Sequence, residues 1–566
     1  MKKRIIPVVV ALALIVVVIA VSYGGKLLDK YSYSKEMADL DEYFGVSKGE
    51  LAIILQDEMI PDKAVVKDDC VYFDLDTVDE YFNEGFYVDR NEQKLLYTTA
   101  EETVAALFGT KEYSGNEGSR PTEYVVCYAE GDRIYVAADY VKRFTNYSYA
   151  RYERQLQVYT RWGEKLTMEI AKNTQLRVLG GIKSAILRDL EKGETVEILE
   201  EMENWSKVKT SDAFIGYVEN KRLLGPVTEN EVPVADYVEA EYTSISLPGK
   251  VGLGWHSIGG PAGNDTLGEM LAEGKGMNVI APTWFSLTDN EGNFRSFADS
   301  RYVEQAHSRG LQVWGVWDDF NYKNETGASV DSYQVLSYTT KRQKLVRDMV
   351  DTSVSLGLDG INIDFEAISE ECAGHYIQFL KELSVLCRDS GLILSVDNFV
   401  PFQFNRYYRL DIQGRIVDYV IIMGYDEHWH GSGDPGSVAS INYVSGGIDR
   451  ALENVPASKV VNAVPFYTIL WKTEGVTVTD QYITLRNVDE YLQRMGISPE
   501  WDETTCQNYA EWQSGAATYQ IWVEDVESIR VKLNIMSLKE IGGVAVWRLG
   551  YGTAGAWDLI DSFVNS

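Results

Sequence analysis

Basic residues are scarce in this 566-residue chain: 53 Lys and Arg stand against 85 Asp and Glu, a formal charge of −32. Polyanions are bound by basic surfaces, so this balance argues against a nucleic-acid partner and leaves a neutral polymer such as a glycan open. Histidine is scarcer, with five residues, and no H-E-x-x-H or clustered Cys/His occurs. A structural or catalytic zinc is not expected on that ground, and the sequence points to no cofactor. The five cysteines (Cys70, Cys127, Cys372, Cys387 and Cys506) are scattered without metal-ligand spacing. They read as buried or free thiols, and spacing alone does not decide a Cys70–Cys127 disulfide. What the chain does have is the hydrophobic and aromatic content of a globular protein, 45% and 12%, over a length that suits several domains.

Lys2, Lys3 and Arg4 precede an uncharged apolar run over residues 5–23. Its length is close to the ~20 residues that span a bilayer core. A cleaved signal peptide would show a shorter apolar core and a small-x-small site. The expectation is therefore a retained signal anchor over 1–25, a single-pass transmembrane helix, with signal cleavage and secretion as the alternative. Basic residues before the run place the N-terminus inside and the rest of the chain outside.

Residues 36–165 read as an α+β domain, with strands at 71–75, 86–89, 94–99 and 133–138, a turn over 89–92 and a short helix at 139–144. Residues 170–225 change to short, closely spaced strands, a pattern that predicts a small barrel. Residues 225–234 read as a linker. From 240 to 566 strand and helix alternate, with strand starts at Val251, Asn278, Gln312, Gly360, Leu392, Asp418, Val460 and Gly543. Eight such units predict an α/β fold, a (β/α)8 barrel, with an α+β insertion over 473–520 after the seventh strand.

One stretch stands out: Leu358, Asp359, Gly360, Ile361, Asn362, Ile363, Asp364, Phe365, Glu366. Read as a strand, it puts Gly360, Asn362, Asp364 and Glu366 on one side and Ile361, Ile363 and Phe365 on the other. Helical runs at 339–356 and 370–388 flank it, so the strand is covered. Carboxylates on a covered strand are costly unless something uses them. Other predicted strand ends carry polar and aromatic groups too: Pro282-Thr283-Trp284-Phe285, Met423-Gly424-Tyr425-Asp426 and Ala545-Val546-Trp547. Reacting groups of such barrels sit at those ends.

The pattern resembles the D-x-x-D-x-D-x-E signature of the family-18 glycoside hydrolases, through Asp359, Asp364 and Glu366, with Asn362 where the family usually has Asp. The phrases "APTWFSLTD", "VWGVWDDF", "GINIDFE", "MGYDEHW" and "VPFYTILW" are similar to the spore-cortex-lytic N-acetylglucosaminidase branch. That branch often carries LysM repeats, and none is evident here. The run "LEKGETVEILEEMENWSKVKTSDAFIGYV" resembles a bacterial SH3-like domain, whose relatives bind peptidoglycan peptides; a spacer of the same fold is the other reading. Residues 36–165 resemble the stalk-like domain of copper amine oxidases.

The family resemblance implies a glycosidase acting on peptidoglycan or chitin-like polymers. Glu366 would be the general acid. The substrate's own acetamido oxygen would be the nucleophile, with Asp364 accepting the acetamido N–H and Tyr425 donating to its oxygen. Trp547 would floor the sugar site. Asp426, Trp284 and Trp255 would contact substrate, and Asn362 and Asp359 would hold Asp364 from behind. Trp255 and Trp284 read equally well as packing residues, and Asp359 as a structural acid capping backbone groups. A non-catalytic, lectin-like glycan binder on the same barrel is the alternative function. Such relatives commonly lose the acid Glu, which is present here.

Overall fold

The structure is a computed structural model describing residues 5–230, 237, 241–323, 327 and 329–566. The chain forms two compact units. One comprises Met1–Phe86, Ala106–Tyr113 and Ser119–Glu239; the other comprises Tyr87–Ala105, Ser114–Gly118 and Ala240–Ser566.

The first unit begins with a helix, Ile5–Tyr31. Asp29 and Lys30 make its last turn charged. Among the described residues no helix is long and apolar enough to cross a membrane. The transmembrane anchor expected from the sequence is therefore not supported. Two seven-stranded sheets follow. In the first, Glu50–Leu55 pairs in parallel with Gln155–Tyr159 and antiparallel with Glu58–Lys67. In the second, strands from Glu164–Ile170 to Leu223–Asn230 run antiparallel around the predicted small barrel. The two sheets share one apolar core, with Ala52 and Ile54 of the first against Ile170, Leu176, Val208 and Val218 of the second. Leu223–Asn230 corrects the linker expected at 225–234: its register with Glu164–Ile170 satisfies backbone groups that a linker would leave to water. Residues 231–234 lie outside the described residues. All five cysteines are free.

The second unit is a closed barrel of eight parallel strands: β1 Val251–His256, β2 Val279–Leu287, β3 Gln312–Asp318, β4 Gly360–Asp364, β5 Ile393–Phe399, β6 Tyr419–Met423, β7 Val460–Pro465 and β8 Gly543–Trp547. Pairing of β1 with both β2 and β8 closes the ring. Burial on both faces explains why these strands read as near-continuous apolar runs. One face packs outward under helices such as Thr339–Leu356 and Ala373–Ser390, with Ile361, Ile363 and Phe365 in that layer. The other fills the lumen with Leu253, Trp255, Trp314, Val316, Tyr419 and Ile421. Gly360 makes room for this filling: a Cβ there would come within 2.8 Å of the Trp314 ring and of the Ile393 carbonyl. The insertion after β7 starts earlier than expected. Tyr467–Glu474 already pairs with Thr477–Thr484 and with Ala517–Val523 in a five-stranded antiparallel sheet, beside the helix Leu485–Met495.

Residues 87–105, inside the stretch read as the N-terminal domain, belong to the barrel's unit. The expected turn at 89–92 works as a helix cap. Asp89 accepts the Thr339 N–H at 2.7 Å and hydroxyl at 2.6 Å, and Glu92 accepts the Thr340 N–H at 3.0 Å. These bonds satisfy N–H groups at the start of Thr339–Leu356, the helix that leads into β4.

Candidate active site

The C-terminal ends of the barrel strands surround a cleft of about 450 Å³, lined by Trp255, Arg295, Asp318, Asp364, Glu366 and Asp397, with Met423, Tyr425, Asp426 and Trp547 opposite. β4 supplies its axis. Gly357, at φ +73°, ends the preceding helix in the left-handed conformation that glycine tolerates, and the chain enters the strand directly. Successive lumen-facing positions then carry Gly360, Asn362 and Asp364. Glu366 follows in the loop just past the strand.

Strand register puts a row of acids at one level. Asp318 of β3 pairs with Asp364 of β4. The register Ile363↔Val396 continues so that Asp397 of β5 stands beside Asp364. Neighbouring strands are only ~4.8 Å apart, so three carboxyls face one another. All are buried or nearly so. Burial first, and then the neighbouring Glu366, Asp397, Asp318 and Asp319, hold the Asp364 carboxyl well above the usual carboxylate range. Burial likewise raises Asp397, with Glu366 adding and a bond from Asn362 opposing. Glu366 is pushed up to about 7, by burial and then by Asp319, Asp426 and Asp318. One oxygen of Asp364, Oδ1, is buried and has no hydrogen-bond partner.

The groups behind this row differ from expectation. Asn362 does not bond Asp364. Its Nδ2 donates to Asp397 Oδ1 at 2.8 Å and to Ser395 Oγ at 3.0 Å, while its Oδ1 accepts the Trp255 indole N–H at 3.0 Å. Trp255 is thereby pinned, and its ring meets Trp547 edge-on at 6.0 Å. Asp359 precedes β4, at the opposite end of the strand from the cleft, and accepts bonds from His307 Nε2 and the Val313 N–H, each at 2.8 Å. It cannot hold Asp364 and is a structural acid. Trp284 is also removed from the cleft. The register of β2 against β3 slips by one residue between Thr283 and Phe285, so Trp284 and Phe285 both turn outward. Trp284 is fully buried there, its indole N–H donated to Asn264 at 2.8 Å.

Tyr425, Asp426 and Trp547 line the cleft as the sequence predicts. Burial raises both Tyr425 and Asp426, and the Tyr467 hydroxyl donates to Asp426. Several lining or supporting groups escaped the sequence reading. Asp319 accepts the backbone N–H groups of Glu366 at 3.0 Å and Ala367 at 3.1 Å, and the Ser332 hydroxyl at 2.6 Å. It anchors the loop that carries Glu366. Asp397 stands near the end of its strand, a position from which the strand-end rule could have picked it. Met423 also lines the cleft. Among the described residues no group of His, Cys, Asp and Glu side chains is arranged to hold a metal ion.

Comparisons with known proteins agree with this architecture. The model of glycosyl hydrolases family 18 matches residues 286–552, and that of the bacterial SH3 domain matches 172–223. An uncharacterized glycosylase, YvbX of Bacillus subtilis, is 23% identical over 298 residues, covering 50% of this chain and 84% of that protein. The cortical fragment-lytic enzyme of Bacillus subtilis is 26% identical over 255 residues, covering 43% of this chain; the match spans only 59% of that enzyme's length. In structure, the chitinase of Chromobacterium violaceum superimposes with a TM-score of 0.50 at 21% identity, over 56% of this chain and 99% of that one, a likeness of fold. The chain carries a glycosyl hydrolase family 18 domain joined to a bacterial SH3 domain, and it is a glycosidase.

Proposed function

We propose that this chain is an exported enzyme that cleaves β-linked N-acetylglucosaminyl bonds in peptidoglycan or a chitin-like polymer, with retention of configuration. The observation that carries the reading is the buried, unpartnered Asp364 Oδ1 in a cleft shared with Glu366 and Tyr425. A buried carboxyl oxygen without a donor is costly, and an acetamido N–H is a donor of the right kind.

Glu366, with its proton held up to about 7, protonates the glycosidic oxygen as the bond breaks. The acetamido carbonyl oxygen attacks the anomeric carbon from the opposite face and forms an oxazolinium ion. Asp364 accepts the acetamido N–H and stabilises the developing positive charge. Tyr425 donates its hydroxyl to the acetamido oxygen and orients it. Glu366, now ionised, takes a proton from water, which opens the oxazolinium and restores the β-configuration. Asp426 bonds the same sugar, and Trp547 supports its ring by stacking. Trp255 lines the cleft and, through its bond to Asn362, also holds the row of acids.

Export is read from where such polymers lie and from the basic residues and apolar run over residues 2–23. Hydrolysis of a chromogenic chitobioside tests the enzyme reading. Turnover by the wild type and its loss in Glu366→Gln are expected. A wild type that binds the sugar without turnover would support the lectin-like alternative.

A further inference from the structure

Arg295 is the sole cation among the residues named as lining the cleft, against the carboxyls of Asp318, Asp364, Glu366, Asp397 and Asp426. It lies on a short strand, Phe294–Ser296, antiparallel to β2, directly across from Ser286. Its guanidinium carbon lies over Phe297, 4.5 Å from the ring centroid, and 5.5 Å from that of Tyr322. Nη2 donates to Ser286 Oγ at 3.2 Å, and Ser286 in turn donates to Asp318 at 2.9 Å. The Nε–H is buried and has no partner. Among the described residues no carboxylate forms an ion pair with this guanidinium.

A guanidinium lying over an aromatic ring can still offer N–H groups at its edge, and among the described residues the one hydrogen bond of Arg295 runs from Nη2 to Ser286. The guanidinium fork matches a carboxylate by two parallel bonds. A neutral glycan makes no use of it, and a row of acids beside it would repel an anionic one unless a cation intervened. The location narrows the choice of sugar. Arg295 stands on the β2–β3 side of the ring, whereas Tyr425 and Trp547 stand on β6 and β8. The carboxylate it meets therefore belongs to a sugar adjacent to the one that Tyr425 and Trp547 grip.

We propose that Arg295 binds a substrate carboxylate, so that the cleft takes an amino-sugar polymer bearing acidic groups, such as the lactyl ethers of peptidoglycan, in preference to neutral chitin. The proposal rests on the reading of the cleft as a glycosidase site.

The test uses the full chain and two forms of one substrate: peptide-free glycan strands of alternating N-acetylglucosamine and N-acetylmuramic acid, and the same strands with their lactyl carboxyls reduced to alcohols. The wild type is expected to favour the acidic strand in kcat/KM by roughly tenfold or more, the scale of a charge-assisted pair. Arg295→Gln is expected to bring that ratio close to one, and Arg295→Lys to leave it in between. Should the variants fail to fold, the wild type alone suffices: added salt should raise KM for the acidic strand and leave the reduced strand unaffected. A wild-type ratio near one, or the wild-type ratio kept in Arg295→Gln, would overturn the proposal while leaving the glycosidase reading intact. A wild type that cleaves neither strand nor a chitin oligomer would overturn both.

Discussion

Asn362 donates its amide N–H to Asp397 at 2.8 Å, joining the position where relatives usually carry Asp to a carboxyl on the next strand. The acid missing from β4 is thus matched by one on β5. Asp364 keeps an acidic neighbour, and that neighbour is oriented by an amide which is itself fixed by the Trp255 indole. Replacing Asn362 by Asp would set two carboxyls in direct contact, where they cannot both ionise. The alkaline limb of the kcat profile should move upward by roughly half to one pH unit, with activity retained. Superimposable profiles of Asn362→Asp and wild type would contradict this.

Glu366 links chemistry to stability. Its pKa rises from an ordinary 4.5 to about 7 on folding. Between those values the folded state holds the extra proton, so stability falls as pH climbs from about 4.5 to 7 and is lowest above that window. Glu366→Gln removes the ionisation. The variant should match the wild type near pH 4 and exceed it at pH 8 by on the order of 2–3 kcal/mol. Urea titrations at the two pH values read the difference directly; equal stability at pH 8 would contradict the assignment.

Asp319 never touches the sugar in this account, yet it fixes the loop of the acid. Asp319→Ala leaves the Glu366 and Ala367 amides and the Ser332 hydroxyl without their acceptor. Stability should fall by about 2–4 kcal/mol and kcat by roughly tenfold or more, with KM less affected. A kcat within twofold of wild type would show that the loop is held by other means, such as the Tyr408 hydroxyl on the Phe365 and Glu366 carbonyls.

The barrel's strand starts were legible because parallel strands buried on both faces have a plain apolar signature, and each expected start falls within one residue of the observed strand. The acids of β4 were legible because charge is conspicuous on a covered strand. Pairings across strands were not. Nothing local to Asn362 reveals Asp397, since their contact depends on β4–β5 register. The one-residue slip in β2 that turns Phe285 outward beside Trp284 is likewise a property of two strands. Even so, strict alternation from Val279 and Ala281 through Thr283 would already have pointed Trp284 away from the lumen. Asp359 shares the motif's spacing with Asp364, but it precedes the strand and so stands at its other end.

Asp89 offers a check on the fold alone. It is fully buried and accepts both the N–H and the hydroxyl of Thr339. Asp89→Ala should lower stability by about 1–2 kcal/mol through loss of the cap. Thermal unfolding would read it; an unchanged midpoint would mean that the 87–105 segment does not stabilise the helix before β4.

The central claim is cleavage after N-acetylglucosamine by a substrate-assisted route centred on Glu366 and Asp364. Digestion of purified cell wall and of chitin oligomers, with mass analysis of the new ends, tests it most directly. New reducing ends of N-acetylglucosamine, produced by the wild type and absent with Glu366→Gln, are expected. New reducing ends of N-acetylmuramic acid would contradict it.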